Sequence, residues 1–125
     1  MKKILIIDDD PVFLKTISHT LESAGYSVVH AVDGEEGLKA INKEKPNMIV
    51  LDIVMPKLGG IDFLKKLKEE DENFSTPILV VSNFSGVSKV EEGMKLGIRG
   101  YVVKSDESLQ TILNNIEIII GKANS

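Results

Sequence analysis

Four short apolar runs in this chain end in groups that can do chemistry. "KKILIIDDDPVF" leads into Asp8, Asp9 and Asp10, "MIVLD" into Asp52, "ILVVS" into Ser82 and "YVVK" into Lys104. Pro11 suits the first position of a helix, which makes Asp10 the N-cap, its side-chain oxygen accepting a backbone N–H two or three residues on. Asp8 and Asp9 then have no capping role and are expected to face Asp52 across a neighbouring strand. At about 4 Å and an effective dielectric near 20, each like-charged pair repels by roughly 4 kcal/mol. Lys104 offers one positive charge against three negative ones. The remaining imbalance suits a hard divalent ion with oxygen ligands, Mg²⁺. Without the ion, at least one carboxyl is expected to hold its proton more tightly than usual.

These residues need a scaffold that aligns strand ends. Apolar runs of strand length recur at Ile4–Ile7, Val28–Ala31, Met48–Leu51, Ile78–Val81 and Tyr101–Val103. Between them lie stretches of helical period. The first carries Phe13, Leu14, Ile17, Leu21 and Ala24 and stops at Gly25; the second runs from Asp33 through Leu38 and Ile41 to a stop before Pro46. Asp33 with Glu36 makes a capping box. The third helix carries Ile61, Phe63, Leu64 and Leu67, the fourth Val87, Val90, Met94 and Leu96, and the fifth Leu109, Ile112, Leu113, Ile116, Ile119 and Ile120. Strict alternation of helices with strands apolar on both faces predicts a parallel sheet between two helical layers. Ligands in such folds gather outside the carboxyl ends of the strands, where all four polar groups lie.

Composition narrows the function. The chain has 125 residues, 42% of them hydrophobic, which predicts a single domain with one core. A net charge of -4, without a Lys and Arg cluster interleaved with aromatics, argues against nucleic acid as a partner. Cysteine is absent, which excludes disulfides and thiolate metal sites. No apolar run is long enough for a signal peptide or a membrane span, so a cytoplasmic protein with no membrane partner is expected. His19 and His30 fall in a helix and a strand pattern and read as ordinary surface or packing residues.

Taken together, the chain resembles a response-regulator receiver domain over essentially its whole length. The matching residues are Asp8 and Asp9 in "IIDDDP", Asp52 in "LDIVMPKLGG" with Pro56 and Gly60 at the family spacing, Ser82 in "VVSN", and Tyr101 and Lys104 in "GYVVK". The resemblance implies a flavodoxin-like (βα)5 three-layer sandwich with strand order 2-1-3-4-5. It implies that Asp52 accepts a phosphoryl group from a histidine kinase or phosphotransfer protein, and that Asp9, Asp52 and the Val54 main-chain carbonyl bind Mg²⁺, with Asp8 acting directly or through water. Lys104 and the Ser82 hydroxyl would each bind a phosphoryl oxygen. Ser82 moving inward would then let Tyr101 turn toward the core and rearrange the face of the fourth helix, fifth strand and fifth helix for an unknown target or a dimer. Beyond its own phosphorylation and autodephosphorylation, no enzymatic activity is implied.

The chain departs from the family pattern at two places, and three further residues carry expectations of their own. Ser105 follows Lys104 where most relatives have proline, so a trans bond with a reshaped loop is expected, and "SDESL" offers N-cap residues for the fifth helix. Asn83 follows Ser82 where a small residue is common, and is expected to narrow access to the phosphoryl group. Val54 and Phe84, at positions that modulate water access, are both apolar, which predicts slow self-dephosphorylation. Ile118 lies off the packing stripe of the fifth helix and is expected to be an exposed apolar spot. Residues 1–121 would form the receiver and 122–125 a short tail, so that any output passes through a protein partner. Two other readings are a receiver cut from a longer transcription regulator or hybrid kinase, and an aspartyl phosphohydrolase. The last lacks the Asp-x-Asp pattern, since Val54 stands two residues after Asp52.

Overall fold

The computed structural model describes residues 1–55, 57–84 and 86–123. Pro56 of the quoted motif and residues 124 and 125 of the tail lie outside the described residues, as does the Val87 side chain. Within them strands and helices alternate: β1 (Lys3–Ile7), α1 (Pro11–Ser23), β2 (Ser27–Ala31), α2 (Gly34–Glu44), β3 (Met48–Leu51), α3 (Gly60–Glu70), β4 (Ile78–Ser82), α4 (Val87–Lys95), β5 (Gly100–Val103) and α5 (Leu109–Ile120). All pairings are parallel, in the order β2-β1-β3-β4-β5, the flavodoxin-like arrangement.

Successive strand residues point to opposite faces, so apolar strands feed two cores. Ile4, Ile6, Val50 and Val81 pack with Phe13, Leu14, Ile17 and Leu21 of α1 and Ile112 and Ile116 of α5. Leu5, Ile7, Leu51 and Val80 pack on the other side with Phe63, Leu64 and Leu67 of α3. Along α2 a glycine faces the sheet closely: a Cβ on Gly37 would lie 2.6 Å from Ile7 Cδ1. Met94, expected on the apolar face of α4, is instead 55% exposed. Gly93 takes the inward position against Ile98, and its neighbour is turned about 100° away by helical geometry.

Several chain ends follow the local signals. Asp10 accepts from Val12 N–H at 3.0 Å and Phe13 N–H at 3.4 Å, and Gly25 takes a left-handed φ of 101° just past α1. Asp33 accepts from Glu36 N–H at 2.9 Å, but Glu36 reaches Val32 N–H rather than that of Asp33. The α5 end uses partners remote in sequence. Lys2 Nζ donates to the Ile120 carbonyl at 2.6 Å and Tyr26 Oη to that of Gly121 at 2.7 Å.

The start of α3 lies directly against the end of β3. Gly60 N–H donates to the Ile53 carbonyl at 2.9 Å, and a Cβ on Gly60 would stand 2.6 Å from the Asp52 carbonyl oxygen and 2.7 Å from Ile53 Cα. Both obstacles are backbone, so α3 or the strand end must shift. Gly60→Ala is expected to cost about 1–3 kcal/mol of stability, read as a lower urea midpoint at unchanged slope; an unchanged midpoint would show that this approach is slack.

Candidate functional site

Strand register brings the acids together before any side chain is considered. Ile7 pairs with Leu51, so Asp8 and Asp52 step off adjacent strands at one level, and Asp52 N–H donates to the Ile7 carbonyl at 3.0 Å. Asp8 and Asp52 are buried and Asp9 is exposed. One oxygen from each lies within 4.8 Å of those of the other two. Lys104 leaves β5, three places along the sheet from β1. Its ammonium nonetheless reaches Asp8 Oδ2 at 2.7 Å and Asp52 Oδ2 at 3.7 Å. It also sits 4.3 Å from the centre of the Phe13 ring, a cation–π contact that shields one side of the charge from water.

The electrostatics fit a hard cation. Three carboxylates with only oxygen donors converge, two of them buried, against one ammonium, and that donor set suits Mg²⁺. Burial pushes the Asp8 carboxyl above its usual value; hydrogen bonds from Lys104 and from Asp10 N–H pull it back, and the charge of Asp52 pushes it up again. The proton held more tightly than usual therefore falls on Asp8. Burial rather than like-charge crowding is its main cause. Asp8 also has a backbone role that its sequence position did not suggest. Its Oδ1 accepts Asp10 N–H at 2.9 Å, shaping the turn that presents Asp9.

Asp52 Oδ1 is held from two sides, by the Ser82 hydroxyl at 2.6 Å and by Val54 N–H at 3.3 Å. The apolar run of β4 ends at Val81, yet the ladder continues through the pairing of Ser82 with Val103, which fixes Ser82 beside Asp52. Ser82 Oγ in turn accepts Phe84 N–H at 3.2 Å, and Tyr101 Oη donates to the Phe84 carbonyl. Tyr101 is half-buried against the α3 side of the sheet, and burial, with the charge of Asp52, raises its phenol. Val54 is 60% exposed and Phe84 41% exposed at the rim. His19 is exposed and unconnected to the acids, and His30 Nε2 bonds Ser18 Oγ at 2.6 Å away from them.

The Lys104–Ser105 bond is trans. Ser105 is not the cap of α5; Ser108 is, accepting Thr111 N–H at 3.1 Å. Asn83, beside Ser82, accepts Ser105 N–H on its Oδ1 at 2.8 Å. Sequence reasoning missed this contact and the Phe13 ring beneath Lys104. The signal for Phe13 was only its place one helical turn after Asp10, where a core residue looks the same.

The family model of the response regulator receiver domain matches residues 4–117. The chain is 36% identical over 126 residues to "Probable transcriptional regulator ycf27" of Porphyridium aerugineum, covering 99% of this chain and 51% of that protein. It is 30% identical to Protein PilH of Pseudomonas aeruginosa, covering 97% of this chain and 99% of that one. The chain thus spans about half the length of the first of these relatives. Among solved structures it is similar to chemotaxis protein CheY4 of Vibrio cholerae, with a TM-score of 0.86, 33% identity and coverage of 95% and 98% of the two chains.

The raised Asp8 carboxyl has a consequence for stability. A carboxyl whose pKa rises on folding favours the folded state below the unfolded value, 3.8 here, and that contribution is lost as pH rises through the folded value. In magnesium-free buffer at pH 7, Asp8→Asn is therefore expected to raise Tm, with the gap to wild type closing as the pH is lowered toward 4. A lower Tm for the variant at pH 7 would mean that the ion pair with Lys104 outweighs burial.

Proposed function

Because the chain belongs to the response regulator receiver family, we propose that it is a phosphorylation-controlled switch of a two-component system in which Asp52 accepts the phosphoryl group. The observation that carries this reading is a buried carboxylate at a strand end, oriented by Ser82 and Val54 and flanked by Lys104, Asp8 and Asp9.

In this reading an Asp52 oxygen attacks the phosphorus of a phosphohistidine on a histidine kinase or phosphotransfer protein. The oxygen–phosphorus bond forms, the phosphorus–nitrogen bond breaks, and its electron pair stays on the imidazole, which is then protonated. Receiver domains typically bind Mg²⁺ at an acidic pocket; here Asp8, Asp9, Asp52 and the Val54 carbonyl would hold it, and it would neutralise charge on the phosphoryl oxygens. Lys104 moves from Asp8 toward a phosphoryl oxygen, and the Ser82 hydroxyl exchanges Asp52 Oδ1 for another. Since Ser82 also holds Phe84 N–H, and Phe84 holds Tyr101, displacement of Ser82 pulls on the segment leading into α4. Gly93 is the one residue of α4 that is buried among those described, so this helix is the least anchored part of the α4-β5-α5 face. That face is the proposed contact for a protein target or a second copy, with Ile118, 83% exposed, as an apolar contact on it.

Residues 1–121 would act as the receiver and 122–125 as a tail, with catalysis limited to gaining and losing the phosphoryl group. No helix among the described residues is long and apolar enough to cross a membrane, in keeping with a cytoplasmic role. A second reading, a receiver within a longer transcription regulator, is favoured by the length of the ycf27 relative. A reading frame continuing past Ser125 would decide for it.

Incubation with acetyl phosphate and Mg²⁺ should add one phosphoryl group by intact mass to wild type and none to Asp52→Asn; modification of the variant, or steady turnover of a phosphoester by wild type, would overturn the proposal. The phosphorylated form should decay slowly, because Val54 and Phe84 place apolar groups at the rim where water enters. Ile118→Glu should leave phosphorylation unchanged while weakening self-association or target binding of the phosphorylated form, measured by sedimentation or by pull-down with an identified target; equal association removes Ile118 from the interface.

A further inference from the structure

Two of the departures from the family pattern touch each other. Asn83 Oδ1 accepts Ser105 N–H at 2.8 Å, and the residue before each is a proposed phosphoryl ligand, Ser82 and Lys104. The contact continues the sheet. Lys104 N–H donates to the Ser82 carbonyl at 2.9 Å, the last main-chain rung between β4 and β5. The next rung uses the Asn83 side-chain carbonyl in place of a main-chain one. Two consecutive N–H groups of the β5–α5 loop are thus held by Ser82, the last residue of β4, and Asn83, the first of the β4–α4 loop. A proline at 105 would have no N–H to give, and a small apolar residue at 83 would have no acceptor to receive it.

Asn83 is itself well fixed. Ser82 is pinned through its carbonyl and its hydroxyl, and Phe84 through its N–H and its carbonyl. The partner of the Asn83 amide is a main-chain donor, so the amide oxygen must face it. On the other side, Lys104 has its own N–H and that of the following residue bound, which restricts both backbone torsions around its Cα. Restriction matters here because a lysine side chain has four flexible carbons and its ammonium must cross from β5 to Asp8 on β1.

We propose that Asn83 is a positioning residue for Lys104, acting through the Ser105 N–H, and that the two residues form a clasp that aims the lysine at the acid cluster in the absence of a proline. This rests on the reading of Asp52 as the phosphoryl acceptor and Lys104 as a ligand of the phosphoryl group. The clasp joins the two loops that must move when the phosphoryl group arrives, so it also couples the Ser82 segment to the Lys104 segment.

The test is the rate of phosphorylation by acetyl phosphate with Mg²⁺, followed by intact mass, together with the NMR signal of the Lys104 ammonium. Asn83→Ala and Ser105→Pro should each slow the reaction about fivefold, the scale set by one net hydrogen bond. The double variant should be no slower than Ser105→Pro alone, because both remove the same contact. Ser105→Ala keeps the N–H and should react at the wild-type rate. In Asn83→Ala the Lys104 ammonium signal should move toward that of exposed lysines, a change that a purely structural loop contact would not produce. A wild-type rate for Asn83→Ala, or an unmoved ammonium signal, overturns the clasp while leaving the site intact. Wild type that takes no phosphoryl group at Asp52 overturns the reading of the site, and the clasp's role with it.

Discussion

Negative charge confined at the ends of two neighbouring strands is the constraint around which this molecule is organised. Asp8 and Asp52 are buried side by side because Ile7 and Leu51 are paired in register, and no choice of rotamer separates strand ends that the ladder has brought level. Buried carboxylates are tolerated only with partners. Remote parts of the chain supply two of those partners, the ammonium of Lys104 and the hydroxyl of Ser82, and the N–H groups of Asp10 and Val54 supply the others locally. Three of these stand in different loops and Ser82 ends β4. The acid pair is therefore the point at which three loops and the end of β4 are tied together on one edge of the sheet.

That arrangement makes the site sensitive to charge. The single ammonium is shared unequally between two carboxylates, at 2.7 Å and 3.7 Å, and a further anionic group would compete for it. The Ser82 hydroxyl is one donor with one proton, so it cannot serve Asp52 and a new acceptor at once. The same oxygen accepts Phe84 N–H, and the Phe84 carbonyl accepts the Tyr101 hydroxyl, so in the proposed switch a change at Ser82 would act on these contacts. Rigid and loose parts are separated to suit this. The β1–β3 pair is buried on both faces, whereas Gly93, against Ile98, is the one buried residue of α4 among those described. In the proposed switch, a small electrostatic change at the rigid edge would find its easiest outlet along this helix.

Much of the scaffold was legible because it depends on local patterns. Apolar strand runs, helical stripes and the caps at Asp10, Gly25 and Asp33 each arise from interactions spanning a few residues, and the structure repeats them with shifts of one residue at strand ends. Met94 was misassigned because periodicity counts hydrophobic residues and is blind to glycine. Helix α4 approaches the core through Gly93, a position with no side chain to register in the pattern. The same blindness hid Gly37 on α2. Lys2 and Tyr26 at the end of α5 were invisible for another reason, since their partners lie 118 and 95 residues away.

For the site, residue types at strand ends and the alternation of elements were enough to select the acids, the hydroxyl and the lysine, since a parallel sheet must carry its strand ends to one edge. Which of them touch, and through which atoms, was decided by the tertiary structure alone. Register set the Asp8 and Asp52 pair, burial rather than crowding raised the Asp8 carboxyl, and loop packing joined Asn83 to Ser105 and Phe13 to Lys104. The physical reason is one of range. Capping and periodicity act between residues a few positions apart, whereas desolvation and ion pairing depend on what the folded chain brings within a few ångströms, whatever its distance in sequence.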